Sequence, residues 1–414
     1  MENLNLTKKS ILLPYLIVFT GFLVFGFSEN VRGPAIPRIQ SEFAIDELQV
    51  GILLALNSFG YLLACSFTGV LTTKLGIKLT CLLAFGSIAI SGVFIYFSNS
   101  YFTFSFSYFY MYIGNGMLEI GLAILAARIF TKNTGFMMNL SHFFYGLGST
   151  VAPLLATGLM GWHVYGGGEL GWRGMYVVIL SLAIIPMIPT IVAKLPGNSI
   201  SAEDRMPLKV YVRDPIAWLI VGILSLGVTA ELSMGGWLVN FLEKSYDWSS
   251  TASASMLSVF FFCFMLSRLI LGFITDKIGF LISLIIFSGV AGFSVIAAIV
   301  IGPSAVFLFA LAGVGIAPIY PTVMALIAKR YPNGSDTAIT FTVTMMGIVV
   351  VVANFLVGAI IDLFRHWFTN FSGEEIGLIR GYQAGFIFIG LCAIFCSLIS
   401  VILYRRLQKV NQIL

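Results

Sequence analysis

From about position 11 to position 404 the chain repeats one pattern: a run of mostly apolar residues, a few polar ones, then another apolar run. A helix needs about 20 such residues to cross the hydrocarbon core of a bilayer, and the chain offers about a dozen runs of that length. Nothing else constrains the fold as strongly. In lipid every backbone amide must be satisfied inside its own helix or in a closed barrel, and the ten-residue alternation of barrel strands is absent. Composition agrees: 58% of residues are hydrophobic and 10% are charged, against about a quarter charged in soluble domains. Spans are expected at 11–36, 48–71, 78–98, 102–130, 134–161, 174–194, 215–241, 252–274, 278–300, 303–328, 337–363 and 382–404. The first follows Lys8 and Lys9 but has no small-residue cleavage site, so it reads as a retained span and not a signal peptide.

The basic residues fall on alternate loops. One side collects Lys8, Lys9, Lys74, Lys78, Arg128, Lys132, Lys194, Arg205, Lys209, Arg213, Lys277, Lys329, Arg330, Arg405, Arg406 and Lys409, while the other holds Arg38, Arg173, Lys244, Arg365 and Arg380. An imbalance of roughly three to one places both termini in the cytoplasm and requires an even number of spans. It also accounts for the net charge of +5 without nucleic acid. The longest polar stretch on the cytoplasmic side is "LPGNSISAEDRMPLKVYVRDP". It divides residues 1–195 from 215–414, with 196–214 as the linker. The halves repeat one another: "GVLTTKLGIKL" from Gly69 matches "GFITDKIGFLI" from Gly272, and "GNGMLEI" from Gly114 matches "GVGIAPI" from Gly313. The expected class is an all-α polytopic membrane protein of about twelve helices in two pseudo-symmetric six-helix bundles.

A charge at bilayer centre costs at least about 2.5–3.5 kcal/mol, so polar residues in the spans single themselves out. Glu29 and Arg32 stand three apart on the first span and can pair on one face. Glu119 on the fourth has Asn115 one turn before it and no base at helical spacing until Arg128, which suits proton exchange or solute binding. The fifth carries Asn139, His142 and Tyr145 as a stripe. On the seventh, Glu231, Trp237 and Asn240 combine directional hydrogen bonds with an indole face suited to a sugar ring, although Trp237 also fits an interfacial belt. Asn57, Tyr61, Tyr320 and Asn354 are candidates of the same kind, and the pairing of "GNGMLEI" with "GVGIAPI" sets Pro318 opposite Glu119. Arg268, Gly272 and Asp276, four apart, form a stripe suited to gating. The five cysteines lie in or beside apolar runs without metal-ligand spacing, so no metal or cofactor is expected. Nucleophile elbows, Walker loops and zinc-protease helices are missing, which argues against an enzyme.

These features resemble the major facilitator superfamily: two six-span halves, the "AIPRIQSEF" exit of the first span, and Gly-x-x-x-Asp-x-x-Gly at Gly272, Asp276 and Gly279, with Thr73 replacing the carboxylate in the first half. Within it, "GNGMLEIGLAIL" followed by "MNLSHFFYGLGSTVAPLL" is similar to the fucose, glucose and galactose permeases, through Glu119, Asn139, His142, Gly146, Gly148 and Pro153. The acid those permeases carry on the first span has no direct match; Gly33 takes its place, with Glu29 one turn earlier. The resemblance implies a monomeric secondary transporter of the cell membrane, moving a small solute such as a sugar by alternating access with H+ or Na+. Glu119, Glu29, Glu231 and His142 would then carry the ion. Arg32, Asn57, Asn115, Asn139, Trp237, Asn240 and Asn354 would bind solute. The rival expectation is an exporter of drugs, lipids or an organic anion.

Overall fold

The computed structural model describes residues 8–130, 134–164, 167–195, 208–331 and 335–409. Its helices are α1 (Lys8–Asn30), α2 (Arg32–Phe43), α3 (Glu47–Tyr96), α4 (Tyr101–Ile129), α5 (Thr134–Met160), α6 (Gly171–Ser181), α7 (Ile184–Val192), α8 (Leu208–Arg213), α9 (Pro215–Tyr246), α10 (Ser250–Ile278), α11 (Phe280–Ile301), α12 (Leu308–Ile316), α13 (Ile319–Arg330), α14 (Ser335–Ser372) and α15 (Glu374–Lys409). Among the described residues the only strands are the antiparallel pair β1 (His163–Val164) and β2 (Gly168–Glu169).

Among the described residues eleven helical segments are long and apolar enough to span a bilayer, and one of them, α3, has 50 residues. At 1.5 Å per residue such a helix rises about 75 Å, enough to cross a core of about 30 Å twice. It divides at Gly76, where φ of 81° suits a residue without Cβ. Counted as two crossings, α3 brings the expected spans into agreement with the fold. The outer surface is apolar, with Phe102, Val300 and Phe273 at 80%, 76% and 74% exposure, as lipid requires of the residues that face it.

The chain forms two compact units: Met1–Ile39 with Phe59–Ile200, and Gln40–Ser58 with Ser201–Leu414. Helices α2 and α3 therefore each contribute to both. The linear division into halves carries no sign that 40–58 belongs with the second unit. In the first unit α1 packs against α4 and α5. The guanidinium of Arg173 donates twice to the Ser98 carbonyl, at 3.0 and 2.8 Å. Lys78 reaches the Ala193 carbonyl just past the end of α7.

In the second unit the short α8 is anchored by Tyr211, which is wholly buried. Its hydroxyl meets Thr342 at 2.8 Å, and its ring lies edge-on to Tyr331 and Phe341. Asp214 caps α9 through the Ile216 amide and accepts from Tyr331 at 2.6 Å. Burial and that bond to a carboxylate raise the Tyr331 hydroxyl above the usual tyrosine range.

The internal repeat needs one correction. A Cβ on Gly114 would meet Ser87 and Ile88 of the third crossing, whereas one on Gly313 would meet Phe260, on the second crossing of its half. It is Gly315 that faces Phe287 and Ala291 of the following crossing. By the faces they present, Gly114 corresponds to Gly315, and Gly116, which meets Tyr61 and Ala64 of the second crossing, corresponds to Gly313, so the two motifs use their glycines in opposite order. Residues two apart on a helix point to nearly opposite sides, so a Gly-x-Gly motif matched by sequence alone leaves open which neighbour each glycine meets.

Candidate functional site

Each unit carries a glutamate–arginine cluster within its spans. In the first, Arg32 pairs with Glu29 at 3.0 Å, with side-chain exposures of only 2% and 7%. The Tyr112 hydroxyl accepts from Arg32 at 3.0 Å and donates to Glu29 at 3.3 Å. Asn115 donates to Glu29 at 3.4 Å and accepts from Ser28 at 2.8 Å. The i,i+3 pairing anticipated from sequence forms between the end of α1 and the start of α2, and polar groups of α4 bridge it. Glu119, half-buried further along α4, accepts a hydrogen bond from the Tyr61 hydroxyl of α3. His142 on α5 tilts against the Phe22 ring at 5.3 Å. The side chain of Asn139 lies outside the described residues.

The second unit joins two residues that sequence reasoning kept apart. Arg268 of α10 faces Glu231 of α9 at 3.7 Å, donates through Nε to the Ala317 carbonyl at 3.2 Å, and lies 4.3 Å over the Phe264 ring. The sequence explains why that carbonyl is available. In a helix it would receive the amide of residue 321, and the Val314 carbonyl that of residue 318; both are prolines, Pro321 and Pro318, which have no N–H. Consecutive residues of α10 fill both vacancies, Ser267 to Val314 at 2.7 Å and Arg268 to Ala317. Gly272 and Asp276, further along the expected gating stripe, are exposed, and nothing lies within 4 Å of a Cβ built on Gly272.

Other expected residues fall in the second unit. Trp237 is 0% exposed, so it is no interfacial belt residue. Its ring lies 6.3 Å from Tyr382, and its indole N–H has no acceptor among the described residues. Both amide atoms of Asn57 are likewise buried without partners there, a cost of about 1–3 kcal/mol for each such group unless solvent or solute meets it. Asn240 donates to Gln40 at 2.7 Å and Asn354 to Ser58 at 2.8 Å.

Sequence reasoning missed the close ion pair of Arg365 with Glu47, at 2.6 Å, because Arg365 was counted among loop charges. Arg365 also holds Glu374 at 3.0 Å. Beside it opens a cavity of about 210 Å³, lined by Gln40, Glu47, Lys244 and Arg365 among others. Glu47, Gly51 and Ser58 share one face of α3, as Asn354, Gly358 and Arg365 share one face of α14, but nothing in either spacing says that the two faces meet. A Cβ on Gly358 would come within 2.6 Å of the Glu47 carbonyl, so the two backbones touch directly.

Comparison with known proteins gives a family match and a fold match. The model of the Major Facilitator Superfamily matches residues 18–353 and 238–413. The chain is 21% identical over 285 residues to the Bypass of stop codon protein 6 of Saccharomyces cerevisiae, covering 62% of this chain and 56% of that protein. With an uncharacterized MFS-type transporter, YfkL, of Bacillus subtilis it shares 22% identity over 63% of this chain and 66% of the relative. Among solved structures, a bacterial homologue of the human lysosomal transporter Spinster superposes with a TM-score of 0.79 at 13% identity, covering 99% of both chains. The fucose:proton symporter of E. coli gives 0.63 at 15% identity, covering 95% of this chain and 99% of that one. A D-xylose-proton symporter gives 0.73 at 14% identity, covering 94% and 97%.

Proposed function

Because this chain belongs to the Major Facilitator Superfamily and is a multi-pass membrane transporter, not an enzyme, we propose that it moves a small polar solute, a sugar by class, through ion-coupled alternating access. In this reading it works as a monomer in the cell membrane with both termini cytoplasmic, and H+ or Na+ is its only cofactor. The likeness to fucose and xylose symporters supports the sugar class.

The observation that carries the coupling is the Tyr61–Glu119 hydrogen bond. A phenol is a partner for either form of a carboxyl: it donates to the ionised group and accepts from the protonated one. Glu29 and Glu231 each face an arginine, so a proton arriving at either would break an ion pair. Glu119 is therefore the first choice for the ion-carrying acid, with Glu29, Glu231 and His142 behind it. Asn57, Asn240, Asn354 and Trp237 remain the proposed solute-binding set, Arg32 and Asn115 being taken up by Glu29, with Gly272 and Asp276 assigned to gating.

The test is Glu119→Gln in proteoliposomes. Gradient-driven accumulation should disappear while exchange of solute for solute persists. Wild-type accumulation in the variant removes Glu119 from the coupling role.

A further inference from the structure

We propose that Arg268 is the anchor for a negative charge on the transported solute, which makes that solute an anionic sugar, either a sugar acid or a sugar phosphate. The inference rests on the transport reading above and narrows its solute class.

The first argument is that the charge exceeds what the local structure needs. The two carbonyls freed by Pro318 and Pro321 call for one hydrogen-bond donor each, and at Val314 the hydroxyl of Ser267 is enough. A neutral donor could serve Ala317 equally well. Arginine there carries an insertion cost of at least about 2.5 kcal/mol that capping alone does not explain.

The second argument is geometric. The bond from Nε to Ala317 and the Phe264 face fix the plane of the guanidinium at 3.2 and 4.3 Å. Its terminal amines remain. Glu231 is 3.7 Å from Nη2, within reach of ionic attraction but beyond a hydrogen bond, and among the described residues neither terminal nitrogen has an acceptor at hydrogen-bond distance. A planar fork, oriented in advance with its outer donors open, is the arrangement that takes a carboxylate or phosphate through two parallel bonds.

The third argument is access. The side chains of Arg268 and Glu231 are 18% and 12% exposed, against 2% for Arg32, so a ligand can reach the fork without dismantling the unit. Glu231 then acts as the resident counter-charge. It compensates Arg268 in the empty protein and competes with an arriving anion.

The experiment uses purified full-length protein and thermal-shift titration with glucuronate, glucose 6-phosphate and glucose. Wild type should bind at least one of the two anions about tenfold or more tightly than glucose, and whether carboxylate or phosphate binds better identifies the group. Arg268→Gln should lose that preference, and Glu231→Gln, which removes the competitor, should strengthen anion binding several-fold. The inference is overturned if wild type binds glucose as well as either anion, if neither anion binds, or if Arg268→Gln keeps the preference. Should that variant fail to fold, unchanged or weakened anion binding in Glu231→Gln overturns it instead. Uptake by proteoliposomes separates the two readings. Anions that bind through Arg268 but never cross leave the anchor standing and sink transport; uptake of glucose that ignores both anions does the reverse.

Discussion

Each unit buries a glutamate beside an arginine, and the two pairs are built on opposite plans. In the first unit, Glu29 and Arg32 come from neighbouring turns, meet at 3.0 Å, and share Tyr112 as a bridge. In the second, Glu231 and Arg268 come from different helices, stand 3.7 Å apart, and keep part of their surface accessible. Identical chemistry thus gives a closed, deeply buried pair bridged by a shared phenol, and an open pair that stays accessible. Charge content alone does not mark a binding site; access to the charge does.

The largest effect that separates the two should come from removing one partner. Arg32→Met strands the Glu29 carboxylate in a site with almost no access to water, and breaking a buried pair in this way costs about 3–5 kcal/mol. Arg268→Gln leaves Glu231 partly exposed and keeps a neutral donor for Ala317, so its melting temperature should fall much less. Unfolding curves in detergent compare them directly. The double variant Glu29→Leu with Arg32→Met should regain most of the loss. If Arg32→Met melts like wild type, the first pair is as open as the second and the contrast fails.

Tyr112→Phe should come next. It deletes a hydroxyl that bonds both charges, and hydrogen bonds to charged groups contribute about 1.5–3 kcal/mol. The stability loss should be clear, with transport by the folded fraction retained. Loss of transport at unchanged stability would instead move Tyr112 and the closed pair into the solute path.

This contrast was only half legible in the sequence. Hydropathy marks spans because the bilayer acts on each segment separately, so the crossings and the two-fold repeat follow from composition along the chain. The Glu29–Arg32 pair was also readable, since an i,i+3 spacing fixes which side chains meet on one helix. Pairing between helices is different. Glu231 and Arg268 stood on separate spans, each with its own plausible use, and no periodicity says which two helix faces will touch. Glu47 and Arg365 were hidden for the same reason, as was the inclusion of residues 40–58 in the second unit. One clue was available: Pro318 and Pro321 empty two carbonyl sites three residues apart, and adjacent donors such as Ser267 and Arg268 are what a neighbouring helix would need to fill them.

The smallest predicted effect tests whether orientation of the open fork matters beyond its charge. Phe264→Leu keeps an apolar side chain on α10 but removes the ring face beneath Arg268. The contact contributes about 0.5–1 kcal/mol at a partly exposed site, and because the Phe264 ring is wholly buried against Phe260 and Phe261, the smaller Leu should lower stability by about 1 kcal/mol. If the ring holds the guanidinium in plane for two-point recognition, anion affinity also falls, by roughly two- to fivefold, with affinity for glucose unaltered. Equal weakening for both ligands would mean that Phe264 packs against the sugar body and does not position the fork. Unchanged anion affinity would mean that Arg268 acts as a point charge, and a lysine at 268 should then serve equally well.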